Sequence, residues 1–143
     1  MTEKLRHSKH YSRCCAVQAL YQWQHTQDGA ADIIAQFVGD GHLKLADRKY
    51  FKKLVTGIIA EQMALDELLA PHLDREISTL TPVELAILRL AAFELVHCPE
   101  LPYKVVINEA LEIAKDYGAD QSYKYVNAIL DALASQTRRL ENV

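Results

Sequence analysis

The 143-residue sequence predicts an all-α fold, with six or seven helices in one bundle-like domain. Apolar residues recur at helical rather than strand spacing along most of the chain. Glycine and proline are scarce, with five and four copies, and residues that favour helices are abundant. Half of the residues are hydrophobic, which is enough to bury a core and excludes a disordered tail.

Three helices are predicted in the first half of the chain. The first covers residues 8–26, and a short second helix covers residues 30–39 and ends at the Gly-Asp-Gly sequence there. The third, residues 46–70, carries a broad apolar stripe and ends at Pro71. Each of these three helices is therefore expected to bury one face.

The clearest local signal is a helix start at Thr81. Thr81 is a candidate N-cap, Pro82 fits the first helical position, and Glu84 stands three residues after the cap. This combination is a capping box with a proline at its first helical position. The helix that follows is apolar nearly all round, which is typical of the centre of a bundle. Two amphipathic helices complete the predicted set.

No motif for catalysis or for a metal or cofactor site occurs in the sequence. It lacks HExxH, CxxC, GxSxG and a glycine-rich phosphate loop, and its six histidines have no metal-ligand spacing. Three cysteines, an odd number, favour reduced thiols, and no apolar run reaches the ~18 residues of a membrane span. We therefore predict a cytoplasmic protein, not an enzyme, with no membrane association, no cofactor, no metal and no catalytic residues.

Charge is distributed unevenly along the chain. The net charge is −3, but residues 1–27 carry four basic groups and one acid, whereas residues 28–143 carry twelve basic and eighteen acidic groups. Lys9, His10 and Arg13 lie around the predicted start of the first helix, where the helix dipole and the free N–H groups favour anions. A bound polyanion would offset that unfavourable placement.

Aromatic residues are interleaved with these cations. Tyr11 lies among them, and Tyr21 follows Arg13 by eight residues, which puts both on about the same side of a helix. Aromatic rings beside cations are typical of single-stranded nucleic-acid binders. Composition leaves three hypotheses open at this point: a nucleic-acid-binding protein, a protein-binding adaptor and an enzyme without a recognisable motif.

Four sequence blocks resemble the NusB family of bacterial transcription antitermination proteins. They are CAVQALYQWQ (15–24), VELAILRLAAFEL (83–95), PYKVVINEALEIAKDYG (102–118) and KYVNAILD (124–131). The third block is the most specific, and the region 28–80 is only generically similar. The resemblance implies one domain over residues 1–143, made of two small packed helical bundles that meet near residues 77 and 78.

The resemblance also implies a function. A protein of this family would bind the boxA element of nascent ribosomal RNA leader transcripts as single-stranded RNA. It would do so together with a small-subunit ribosomal protein, NusE, and the pair would join NusA, NusG and RNA polymerase so that elongation passes terminators. The alternative is a protein-interaction adaptor whose RNA contact is incidental. A related domain heads some ribosomal RNA methyltransferases, but that hypothesis requires a catalytic domain downstream.

Candidate site residues follow from the same resemblance. The RNA-binding candidates are Arg6, Lys9, His10, Arg13, Tyr21, Gln121, Lys124 and Tyr125. Glu84 is the candidate for the ribosomal-protein interface, where that role competes with its role in the capping box. Family members often show a near-continuous arginine run where this chain has KHYSR, so a histidine and Ser12 replace guanidinium groups that are permanently charged and bidentate.

Overall fold

The computed structural model describes residues 3–117 and 120–138, and side chains from residue 7 onward except at residues 120 and 121. Within these residues the chain forms seven α-helices and no strand, which confirms the all-α prediction. In order they are α1 (Glu3–Thr26), α2 (Ala30–Gly39), α3 (Arg48–Ala60), α4 (Gln62–Leu69), α5 (Pro82–His97), α6 (Tyr103–Tyr117) and α7 (Asp120–Thr137). Two short 3₁₀ helices, Ala70–His72 and Ile77–Thr79, lie between α4 and α5. Among the described helices, none has the length and apolar character that a membrane crossing demands.

The predicted long third helix is wrong, because two helices occupy its place. The backbone leaves helical geometry at Glu61, with φ −99° and ψ 13°, between α3 and α4. The chain also divides into two compact units here, residues 1–60 and 61–143. The reason is tertiary: α4 packs on α5 and buries Leu65 and Leu69.

In the first unit, α1 packs along α3, and α2 contacts both. Large apolar side chains from all three helices form its core: Leu20, Ile33, Phe37, Phe51, Leu54 and Ile58. The rings of Phe37 and Phe51 stack with centroids 5.6 Å apart, which joins α2 to α3. The connection between these helices turns at Gly41, whose φ of 76° lies in the left-handed region that favours glycine.

In the second unit, α5 lies at the centre and contacts α4, α6 and α7. Its ten consecutive residues from 86 to 95 are all buried, as the apolar sequence of this helix predicted. The capping box at its start is also confirmed. Thr81 Oγ1 accepts a hydrogen bond from the Glu84 N–H at 3.1 Å, and Glu84 Oε1 accepts one from the Thr81 N–H at 3.2 Å.

Candidate nucleic-acid interface

Lys9, His10 and Arg13 do not lie at the N-terminus of α1. The helix begins at Glu3 rather than near residue 8, which puts Lys9, His10 and Arg13 in its second and third turns. The dipole effect falls off within the first turn, so the predicted conflict between these cations and the helix start does not exist. No proline or glycine in residues 3–8 ends the helix earlier, which is why it extends toward the chain start.

Lys9 and Arg13 meet at one aromatic ring. Lys9 Nζ lies 5.0 Å, and the Arg13 guanidinium carbon 5.5 Å, from the ring centroid of Tyr50 on α3. The pair is spaced four residues apart on α1, so both side chains reach the same side of the helix. Arg13 is only 2% exposed, whereas Lys9 is half-buried. Of the two cations, Lys9 is therefore the more accessible.

His10 and Arg6 are the other two predicted residues near the chain start. His10 is half-buried, with its Nε2 3.6 Å from Cys14 Sγ and its ring 6.0 Å from the ring of Tyr11. The side chain of Arg6 falls outside the described residues. Of the predicted N-terminal candidates, the structure therefore brings together Lys9 and Arg13, and it places His10 beside a thiol.

Ser12, within the KHYSR segment (residues 9–13), is fully buried. Its Oγ accepts a hydrogen bond from the Asp47 N–H at 2.9 Å and lies 2.8 Å from the Asp47 carbonyl oxygen. The Asp47 carboxylate in turn accepts the Tyr50 N–H at 3.0 Å at the start of α3. The serine that interrupts the basic segment thus attaches α1 to the beginning of α3. A guanidinium at this position would have to replace that contact.

Tyr21 lies at the surface beside a groove between α1 and α2. Its side chain is 44% exposed, and its ring centroid is 4.6 Å from that of His25. The groove has a volume of about 420 Å³. On its wall Gln22 and Gln36 exchange two amide hydrogen bonds of 2.8 and 3.2 Å. The exposed Tyr21 ring can therefore stack on a base, and the neighbouring amide groups can form hydrogen bonds with it.

Tyr125, on α7, is half-buried and carries a cation on its ring. The guanidinium carbon of Arg75 lies 4.3 Å from the ring centroid, and Arg75 Nε donates a hydrogen bond of 2.8 Å to Asp74. Neighbouring Lys124 is exposed, whereas the side chain of Gln121 falls outside the described residues. Arg75 and Asp74 were missed by the sequence analysis because they are fifty residues from Tyr125 and no motif joins them.

Tyr125, Asp74 and Arg75 shift one another's pKa values. Burial, followed by the adjacent Asp74 carboxylate, raises the pKa of the Tyr125 hydroxyl. The hydrogen bond from Arg75 lowers the pKa of Asp74, and the same bond raises the pKa of Arg75. Tyr125 therefore stays neutral and Arg75 stays charged at neutral pH, as stacking and phosphate binding both require.

The chain matches known proteins over most of its length. The model of the NusB family matches residues 10–135.

The chain belongs to the NusB family.

A NusB relative from Coxiella burnetii, named transcription antitermination protein NusB, is 50% identical over 92% of this chain and 96% of its own length. A solved NusB structure from T. maritima is 28% identical, covers 99% of this chain and 97% of that chain, and has a TM-score of 0.80. A crystal structure of the antitermination factors NusB and NusE in complex with dsRNA is 25% identical. It covers 94% of this chain and 99% of that chain, with a TM-score of 0.83.

Glu84, the candidate residue for the ribosomal-protein interface, is half-buried at the start of α5. One carboxylate oxygen closes the capping box, and the other accepts a hydrogen bond of 2.8 Å from the Ser122 hydroxyl on α7. Both oxygens are thus engaged within the second unit. A role at a partner surface would have to coexist with these contacts.

Proposed function

We propose that this chain is a transcription antitermination factor that binds the boxA element of nascent ribosomal RNA leader transcripts together with ribosomal protein NusE. We further infer that the pair joins NusA, NusG and RNA polymerase, which makes transcription of ribosomal RNA processive. The observation that carries the proposal is membership of the NusB family, in which a solved relative is a complex with NusE and dsRNA. The relatives bear the name transcription antitermination protein.

Lys9 and Tyr21 are the proposed RNA contacts of the first unit. Lys9, which is half-buried, offers an ammonium held over the Tyr50 ring that can contact a phosphate. Tyr21 offers a ring face for stacking at the groove between α1 and α2. Arg13, because it is 2% exposed, supports this surface by packing on Tyr50 rather than by touching RNA.

Lys124 and Tyr125 are the proposed RNA contacts of the second unit. Lys124 is exposed and can contact a phosphate. One face of the Tyr125 ring carries the Arg75 guanidinium, so a base can stack on the other face or take the place of that side chain. We include Arg75 as a further candidate contact for this reason.

Titration of labelled boxA RNA tests the RNA-binding part of the proposal. The full chain is titrated into single-stranded and double-stranded forms of the probe, alone and with NusE, over a series of salt concentrations. About four phosphate contacts would give a slope of log K against log salt near −3 on a single strand, at 0.7 for each phosphate. A salt-independent affinity, or equal affinity for a scrambled RNA in the presence of NusE, contradicts the proposal.

Substitution at Tyr21 tests the stacking contact. Tyr21→Ala should weaken binding about fivefold or more, because stacking on an aromatic ring contributes ~1–3 kcal/mol per base. Tyr21→Phe is the matched control, since it keeps the ring and removes only the hydroxyl. If both variants bind as the unchanged chain does, Tyr21 is not a stacking residue.

The alternative hypothesis, a protein-interaction adaptor, makes different predictions for Glu84 and for the N-terminus than the RNA-binding proposal does. It predicts that Glu84→Lys abolishes NusE binding, while deletion of residues 1–13 leaves antitermination in cells intact. Because Glu84 also closes the capping box, Thr81→Ala is the control that weakens the cap without changing the charge at position 84. Loss of NusE binding in both variants would assign the effect to the helix start rather than to a partner contact.

A further inference from the structure

A second group of cations lies in the first unit, at the beginning of α3 and in the loop before it. Its members are Lys44, Arg48, Lys49, Lys52 and Lys53, and we call them the α3 basic cluster. All five are exposed. Asp47 is the only acidic residue in residues 44–53, and its carboxylate accepts the Tyr50 N–H. The net charge of residues 28–143 is −6, so the positive charge of this cluster is not evident from that sum.

The α3 basic cluster is not neutralised by the rest of the described chain. None of its five members forms an ion pair with another residue that the structure describes. Arg48 and Lys52, and likewise Lys49 and Lys53, are like charges spaced four residues apart, an arrangement that destabilises a helix. Such a cluster contributes little to the fold, so its charge is available to an anion from outside.

Tyr50 links this cluster to the proposed RNA contact of α1. The Tyr50 ring, which lies under Lys9, belongs to the first turn of α3. At about 100° of rotation per residue, Lys53 and Lys49 lie about 60° and 100° from Tyr50 on the same side of α3. Arg48 and Lys52 lie farther around the helix. The positive surface of α1 at Lys9 therefore continues onto α3 through Lys53 and Lys49.

We propose that the α3 basic cluster, led by Lys49 and Lys53, binds the phosphate backbone of the RNA and extends the contact made by Lys9. This inference rests on the proposed RNA binding and adds a surface to it. Phosphate contacts of this kind provide affinity and position the RNA, but they do not read its bases. Binding through them should be strongly salt-dependent.

The test compares two double variants of the full chain by fluorescence anisotropy with labelled single-stranded boxA RNA across a potassium chloride series. Lys49→Ala with Lys53→Ala should reduce the magnitude of the slope of log K against log salt by about 1.4, at 0.7 for each lost phosphate contact. Lys104→Ala with Lys115→Ala is the matched control, because both lysines are exposed on α6 and the change in net charge is the same. The control variant should give the same slope as the unchanged chain.

Two more variants make every outcome informative. Lys49→Arg with Lys53→Arg should restore the slope, because it retains both charges, and thermal denaturation verifies that all variants fold.

If Lys9→Ala reduces the slope but the Lys49 and Lys53 double variant behaves as the α6 control does, this inference is wrong and the proposed function stands. If no variant changes binding, the proposed RNA surface of the first unit is also wrong. If both double variants lose the same affinity, net charge rather than the α3 basic cluster explains the effect, and the inference is overturned.

Discussion

At the scale of single residues, Arg138, which follows α7, is a buried charged side chain of the second unit. Arg138 is 7% exposed, and its guanidinium donates to four carbonyl oxygens at or just after the end of α5: Leu95 at 2.7 Å, Leu101 at 2.8 Å, Cys98 at 3.1 Å and Glu94 at 3.3 Å. The last carbonyls of a helix have no intrahelical partner and carry partial negative charge. One planar cation thus satisfies the end of the central helix, which no single ammonium could do.

Arg138→Ala should lower the free energy of unfolding by about 3 kcal/mol, because it leaves several buried carbonyl groups without a donor. Urea denaturation measures the change. The free energy of unfolding of Arg138→Lys should lie between that of the unchanged chain and that of Arg138→Ala. Lysine retains the charge but lacks the several donor groups of the guanidinium. Arg75→Ala is the control: that residue is exposed, pairs with Asp74 at the surface and otherwise contacts the Tyr125 ring, so its removal should cost much less. An Arg138→Ala variant as stable as the control would contradict this account.

At the scale of elements, the join between α4 and α5 explains where the chain divides. Arg89 of α5 donates two hydrogen bonds, of 2.8 and 2.9 Å, to the carboxylate of Asp66 on α4. The Arg89 side chain is 6% exposed and that of Asp66 is 22% exposed, so the pair is largely removed from water. Together with buried Leu65 and Leu69, this pair holds α4 in the second unit and separates it from α3.

Asp66→Ala should destabilise the chain by about 3 kcal/mol, because it takes away the carboxylate that balances a buried guanidinium. The double variant Asp66→Leu with Arg89→Met should recover most of that loss, since apolar side chains of similar volume often replace a buried pair at little cost. A double-mutant cycle, measured by chemical denaturation, gives the coupling. Additive effects of the two single substitutions would show that the ion pair does not couple the helices.

At the scale of the whole molecule, the two units carry opposite charge. Residues 1–60 hold nine basic and five acidic groups, a net charge of +4, and residues 61–143 hold seven basic and fourteen acidic groups, a net charge of −7. The overall value of −3 conceals this difference. A polyanion should therefore be attracted mainly to the first unit, and the negative second unit offers its individual cations as local contacts.

Lysine acetylation of the full chain, with and without boxA RNA, tests this distribution. Lys9, Lys49 and Lys53 should react more slowly when RNA is bound, because a phosphate that contacts the ammonium group shields it. Lys104 and Lys115 should react at the same rate in both conditions, although they too are exposed. Mass spectrometry reports each site separately. Equal protection of all five lysines would indicate that the charge difference does not direct RNA binding.

The sequence by itself determined the features that depend on neighbouring residues. The period of the apolar positions, the limits of α2, the capping box at Thr81 and the central place of α5 all follow from local preferences. The NusB family resemblance, which lies in contiguous blocks, could also be recognised without coordinates, and the family model confirms it.

Only the tertiary structure decided the features that join distant parts of the chain. These include the interruption at Glu61, the burial of Arg13 and Ser12, and the stacking of Arg75 on Tyr125. The physical reason is that periodicity and caps arise from residues a few positions apart, whereas burial and ring contacts depend on which helix lies alongside. The start of α1 shows the same limit: an error of five residues in the predicted start placed Lys9, His10 and Arg13 at the helix N-terminus, where they do not lie.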